Sequence, residues 1–595
     1  MRTSAGILLI ALSLAACLCT GAAAPEKQKS VAITTGFAGY FRHGHFTPVM
    51  LRIDSGPAPL TGRIVLSSEA VCLERPVSVP AGSAREYFLV VPQSLDPIAE
   101  LGLAGAAHQV YEPKAVAPSA RLVAVLGAAP PTFAALQRLL PDGSHVAQID
   151  AAELPEDFRG YEPLDLLVIV DLATSPRDEQ RRAMTEWLNS GGRMMVALPA
   201  GGADSVSAFW RRFFPAERLR SPGKTEGRDL ADSLKAAGLD VFSDGRHRGL
   251  AGFRVGLGGV LLADSDQSYA DGDEAAAATL KLLELDQPVR RAANPLLSPA
   301  VYELFPAAQW PTGSRTALWL AALGYLAAMS VTLVVLRAER KAVFGISAAA
   351  FTAAFAAIIY LALVPKSAVA LQSASIVHTR SGASALAVSR YIGFGSPDAG
   401  EHAIRIELAA PAKPLFYSDV MLSSGPVDVR SLDGALAYRS ATGSGKPTCF
   451  EQTGVLSFQG GVCLTESAPG QFVISNNARS FGSGDPIDFT DLILTDGTDG
   501  VYIESLPCGK SVTVDFAPER RAGLNRILWD HFASSQPFRY RMLRYWMDVT
   551  PPGGMCLLGW NRLQVMPPIK GEFLSRLDHE TLWEVRLHNG TPAGL

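Results

Sequence analysis

Apolar and polar positions alternate with a period of two over much of the first 90 residues. Val31 to Thr34, Val49 to Ile53, Arg63 to Ser67 and Glu86 to Val91 carry β-formers between Gly, Pro and Ser clusters, which predicts a small antiparallel sandwich over 30–116. Near Arg121 the pattern changes. Leu122 to Leu126 is a continuous apolar run, as a strand buried on both faces requires. A helical stretch at Thr132 to Leu140 and strands at His145 to Ile149 and Leu164 to Val170 follow. Ser175 as N-cap with Pro176 at the first helical position predicts a helix carrying Met184, Trp187 and Leu188 on one face and stopping at Gly191-Gly192. Met194 to Leu198 is the next strand, and the unit continues through Val255 to Ala263 and a helix at Glu274 to Leu285. Alternating strand and helix predict a parallel sheet with helices on both faces over 117–290.

A linker over 291–315 leads to two uncharged apolar runs, Thr316 to Leu336 and Ala342 to Val364, each long enough to cross a bilayer. Gly324 with Ala328, and Ala349, Ala353 and Ala357, have the small-residue spacing of closely packed helices. The loop between the runs holds Arg337, Arg340 and Lys341 against Glu339, so the positive-inside rule puts it in the cytoplasm. The expected architecture is therefore a two-helix transmembrane hairpin over 316–364, with a β-rich extracytoplasmic domain over 366–595. Both soluble parts face outward from a bacterial inner membrane, and the lipid bilayer is an expected partner.

The beginning of the chain agrees with that address. Residues 1–24 read as a signal peptide, with Arg2 ahead of the apolar segment Ile7 to Leu14 and small residues to Ala24. Leu14-Ala15-Ala16-Cys17 is a lipobox-like alternative that would lipidate Cys17. Of seven cysteines none forms a C-x-x-C pair, which argues against zinc and thioredoxin-like chemistry. Cys449 and Cys463 could bridge a hairpin in an oxidising compartment; buried free thiols are the alternative. Length allows three or four domains, and a net charge of −4 gives no field that would gather nucleic acid.

Gly39-Tyr40-Phe41 followed by Phe46-Thr47-Pro48-Val49 opens a second line of reading. Leu154 to Tyr161, Leu164-Asp165, and Trp187 through Gly191-Gly192-Arg193 come next, then Asn476-Asn477, Phe489-Thr490-Asp491, Leu506 to Gly509 and Gly559-Trp560. In this order the pieces resemble a bacterial envelope family in which a β-sandwich leads into a class I glutamine amidotransferase-like domain. The resemblance implies a flavodoxin-like, amidotransferase-like fold for 117–290.

That enzyme needs a nucleophilic Cys on a tight strand-to-helix turn with a His nearby. Here Leu198 is followed by Pro199-Ala200-Gly201-Gly202, and no cysteine occurs between Arg121 and Leu285. No catalytic residue, metal ligand or cofactor is assigned. Asp171, at the carboxyl end of a central strand where α/β sheets place ligands, and Asp165 before that strand are the ligand-binding candidates. His43-Gly44-His45 reads as a turn. Phe538 to Met547 reads as a helix with an aromatic core stripe and solvated arginines. The expected function is a membrane-anchored extracytoplasmic binding or scaffold protein, engaging an envelope protein or a glycan. The alternatives are an envelope hydrolase or an accessory subunit of an export complex.

Overall fold

The computed structural model describes residues 30–67, 71–92, 100–103, 114–117, 119–127, 137–198, 230–236, 239–243, 250–264, 272–283 and 285 in the first half. Beyond them it describes 323–327, 330, 349–350, 352–355, 370–381, 383, 385–395, 400–406, 413–415, 427–432, 435–442, 448–457, 460–480, 483–549, 554–561 and 577–587.

Strands Ser30–Thr35, Phe46–Asp54 and Ala84–Pro92 form one antiparallel sheet. The alternation in the middle strand turns Val49, Leu51 and Ile53 inward against Leu60, Ile64, Val77 and Val79 of a second sheet. That second sheet draws on two distant parts of the chain. Leu60–Ser67, Val71–Val79 and Glu100–Leu103 supply three of its strands, and Gly400–Ile406, Val427–Leu432 and Ala435–Thr442 supply the other three. The seam is parallel, with Val427 opposite Val71 and Asp428 opposite Cys72.

Next along the chain is a seven-stranded sheet in the order His145–Ile149, Leu122–Leu126, Leu166–Ile169, Arg193–Leu198, Gly258–Asp264, Leu250–Val255, Val241–Phe242. The first five run parallel and the last two antiparallel. All five residues of Leu122–Leu126 are buried, because both faces of that strand are covered. Helix Asp178–Asn189 lays Ala183, Met184, Trp187 and Leu188 on the sheet. It starts two residues after Pro176, with Arg177 as N-cap and Gln180 Oε1 accepting from the Arg177 amide. It ends where Gly191 takes φ +113°. The Gly256-Leu257 turn of the last hairpin docks on this end: the Leu257 amide donates to Asn189 O and the Gly259 amide to Gly192 O.

The C-terminal body is a nine-stranded sheet centred on Ala370–Arg380, which runs parallel to Leu577–Arg586 and antiparallel to Ala385–Gly395. One face carries helix Leu524–Leu528, a π-helical turn at Trp529–Ala533 and helix Pro537–Val549. The other carries a three-stranded sheet, Val462–Ala468, Gln471–Asn476 and Lys510–Asp515. Asn476 ties the two sheets together: its side chain donates to Ile487 O and Leu506 O and accepts from the Ala478 amide.

These findings correct the fold class read from the sequence. The described residues are predominantly β-sheet, and the two-helix transmembrane hairpin expected between the α/β domain and the β-rich domain is not supported. Among the described residues no helix is long and apolar enough to cross a membrane. Most of the two uncharged runs, and the 291–315 linker, lie outside the described residues. The residues described there, 323–327 and 330 in the first run and 349–350 and 352–355 in the second, are helical, and the runs meet through the stacked rings of Tyr325 and Phe355 at 4.4 Å. A lack of charge makes a span only if the run is one continuous helix of about 20 residues. Gly324, expected at a close helix contact, has open space where a Cβ would stand.

Candidate functional site

The two aspartates nominated from sequence stand at opposite ends of strand Leu166–Ile169, roughly 20 Å apart at strand rise. Asp165, at the amino end, is buried. Its Oδ2 accepts from Arg42 Nη2 at 2.6 Å and from the Leu122 amide at 2.8 Å, and its Oδ1 accepts from Arg121 Nη1 at 3.1 Å. Arg42 comes from the N-terminal sandwich, so this ion triad joins that module to the parallel sheet. Nearby, Glu162 accepts from the Phe46 amide and from Thr453 Oγ1, bringing the C-terminal sheet to the same junction. His45 lies 3.8 Å from Glu162 across a turn in which Gly44 has φ +76°.

Asp171 lies at the carboxyl end and folds back on its own loop. Its Oδ1 accepts from the Ala173 and Thr174 amides and its Oδ2 from the Thr174 hydroxyl. The Thr174 bond, with the two amide bonds, holds its carboxyl below the usual range against a small opposing effect of burial. Gly127, φ +101°, lets this loop approach: a Cβ there would meet Asp171 Cβ at 2.8 Å.

Of the two alternatives for Cys449 and Cys463, a bridge or free thiols, the structure has the second: both thiols are free. Cys449 points into the core beneath the helices, whereas Cys463 belongs to the three-stranded sheet on the opposite face. Burial pushes the Cys449 thiol well up. Cys17 lies outside the described residues.

A site not nominated from sequence is built around Asp491. In strand Phe489–Thr495 the pairing with Cys556–Asn561 slips between Thr490 and Ile493, so Asp491 and Leu492 together face the single residue Gly559. This bulge puts Asp491 at φ +51°, a left-handed conformation that costs a non-glycine residue about 1–3 kcal/mol. The strain aims the carboxylate under the helical layer. Arg539 Nη1 donates to its Oδ2 at 2.5 Å, Gln536 Nε2 reaches the same oxygen at 3.5 Å, and Tyr502 OH donates to its Oδ1 at 2.5 Å. Arg539, expected in solvent, is buried and lies over the Trp560 ring at 5.2 Å. The stripe it shares a helix with, Met542, Tyr545 and Trp546, packs into the core.

Desolvation, then the bond to Asp491, raises the Tyr502 hydroxyl above its ordinary pKa, so it remains a donor at neutral pH. Its ring stacks under His531 at 3.8 Å and 11°. His531 is exposed and sits in the π-helical turn, a local distortion often found at functional positions. Trp529 in the same turn is 69% exposed. Glu504, exposed and two residues after Tyr502, borders the stack. Asp491 is fully engaged and Tyr502 holds its proton, so the exposed face around the His531–Tyr502 stack is suited to stacking and hydrogen bonding. The sequence signal was thin, because 48 residues separate Asp491 from Arg539.

A second carboxylate in this body lends itself to a direct test. Glu584 is buried, with His378 Nδ1 at 2.5 Å from Oε2 and Arg586 Nε at 2.8 Å from Oε1. Desolvation pushes its carboxyl up, but the His378 and Arg586 charges and hydrogen bonds more than reverse this and leave it at about 2. A carboxyl depressed on folding stabilises the native state above its unfolded pKa and loses that contribution as pH falls toward the folded value. Stability on the order of 3 kcal/mol should therefore disappear between about pH 4.5 and 2. Urea midpoints across that range should fall less steeply for Glu584→Gln. Superimposable slopes for the two proteins would remove Glu584 from the account.

Comparison with known proteins gives little beyond the first module. Residues 28–99 match the model of a domain of unknown function (DUF8726). No curated protein matches the chain. Among solved structures it is similar to the yeast delta-COP-I mu-homology domain complexed with a Dsl1 WxWxV peptide. There the identity is 7%, the TM-score 0.19, and the match covers 38% of this chain and 98% of that one. A second structure of the yeast domain matches at 8% identity and TM-score 0.18, with the same coverage. At these TM-scores the likeness carries no argument about fold or function.

Proposed function

We propose that this chain is a binding or scaffold protein of an extracytoplasmic compartment, with its recognition surface at the exposed turn that carries Trp529 and the His531–Tyr502 stack. One observation carries the reading. Asp165, Asp171 and Asp491, the carboxylates at candidate positions, each have both oxygens occupied by donors of the same chain. A general base needs a lone pair aimed at its substrate; these carboxylates shape loops and junctions. The amidotransferase resemblance is retained as a proposal about descent, for a sheet whose carboxyl end at Asp171 closes on itself. The export-type segment before Ala24 supports the compartment.

In-cell photocrosslinking tests the location of recognition, because a benzophenone side chain inserts into C–H bonds of peptide and glycan alike. Benzoylphenylalanine in place of Trp529 should give a heavier adduct, and the same residue in place of Asp171 should give none. An adduct at 171 alone, or none at either position, would overturn the assignment.

A further inference from the structure

We infer that the exposed face of the His531–Tyr502 stack takes an uncharged, hydroxyl-rich ring, that is, a saccharide unit of a glycan; this rests on the binding reading above and adds the ligand's chemical class. The argument is one of elimination by charge and shape. His531 is the outer ring of a parallel pair, exposed to solvent while Tyr502 supports it from beneath. This leaves one flat aromatic face outward, against which the C–H face of a sugar can lie. Arg539 is committed to Asp491 and the Trp560 ring. An anionic ligand would be repelled by the exposed Glu504 carboxylate. A cationic ligand is bound best by several ring faces turned toward it. Here the Tyr502 and His531 faces are turned toward each other, which leaves a single outward face, that of the imidazole. A neutral ring with hydroxyls meets neither penalty, and Glu504 can accept from those hydroxyls.

The backbone is distorted in two places around this one spot, the left-handed Asp491 and the π-helical turn. Strain concentrated in this way points to a site that is held in place.

Calorimetric titration of the full chain with the tetramer of N-acetylglucosamine, and with maltotetraose, tests the inference. Saturable binding of at least one sugar is expected, weakened about tenfold or more by His531→Ala and less by Glu504→Gln. Tyr502→Phe, which keeps the supporting ring, should retain most of the affinity. Tetralysine and inorganic phosphate serve as the charged probes. Binding of a charged probe and of neither sugar, lost in His531→Ala, would overturn the saccharide class and leave the stack as the recognition site. Sugar binding untouched by both His531→Ala and Glu504→Gln, or no binding of any probe, would overturn both. Glu504 is exposed, so its variant remains informative if His531→Ala lowers the melting temperature.

Discussion

Replacing Asp165 with Asn is expected to lower the unfolding free energy by about 3–5 kcal/mol, the usual cost of breaking a buried ion pair from one side. The substitution is nearly isosteric, so packing is kept and the loss is electrostatic. It leaves Arg42 and Arg121, both buried, facing a neutral amide. Water cannot reach them in compensation, and added salt screens buried charges little. The urea midpoint should therefore fall by a similar amount at low and high ionic strength. Asp171→Asn, at the other end of the same strand, is the control. Asp171 is only half-buried and its bonds to the Ala173 and Thr174 amides can be kept by an amide oxygen, so a shift within about 0.5 kcal/mol is expected. Equal losses at the two positions would show that the triad contributes nothing special to the junction.

Gly258→Ala should be at least as damaging, with a loss of about 4 kcal/mol or more or failure to accumulate folded protein. A Cβ at Gly258 would stand 2.2 Å from Gly192 O and 2.3 Å from Leu188 O. Both atoms are backbone at the end of helix Asp178–Asn189, so no side chain can turn aside. Relief requires the hairpin to lift from the helix, breaking the bonds from Leu257 and Gly259 that dock it. Gly470→Ala provides the contrast. Gly470 has φ +74° but open space around it, so only the conformational cost of about 1 kcal/mol should appear in its melting curve. A wild-type melting curve for Gly258→Ala would mean that the docking is not as close as described.

Local pattern was readable where one contact decides the structure. The run Leu122 to Leu126 is a strand because every residue in it is apolar and both faces are covered. Helix Asp178–Asn189 stops before Gly191-Gly192 because Gly191 supplies the positive φ of the turn that leaves it. Pairing between distant segments was not readable. Nothing in Val427–Leu432 announces that it will lie beside Val71, since a strand's sequence encodes its faces and not its neighbour. Absence of charge over Thr316 to Leu336 was read as a membrane span; among the described residues no helix is long and apolar enough to cross a membrane. The candidate site failed in the same way. Asp165 looked like a ligand contact because a carboxylate beside a strand has no sequence mark separating a buried partner from a free one. Asp491 entered only as part of the Phe489-Thr490-Asp491 resemblance, because its role depends on Arg539 and Tyr502, brought to it only by the packing of the helical layer.

The sheet shared between Val71–Val79 and Val427–Leu432 also imposes an order on biosynthesis. The first module is made early, but the strand that closes its sheet emerges about 350 residues later. At roughly 5–20 residues per second the ribosome needs ~20–70 s to deliver it. For that interval the nascent chain presents an unpaired strand edge, a template for association with other chains. A chaperone that occupies the edge until residue 427 arrives would protect the chain at its most vulnerable stage.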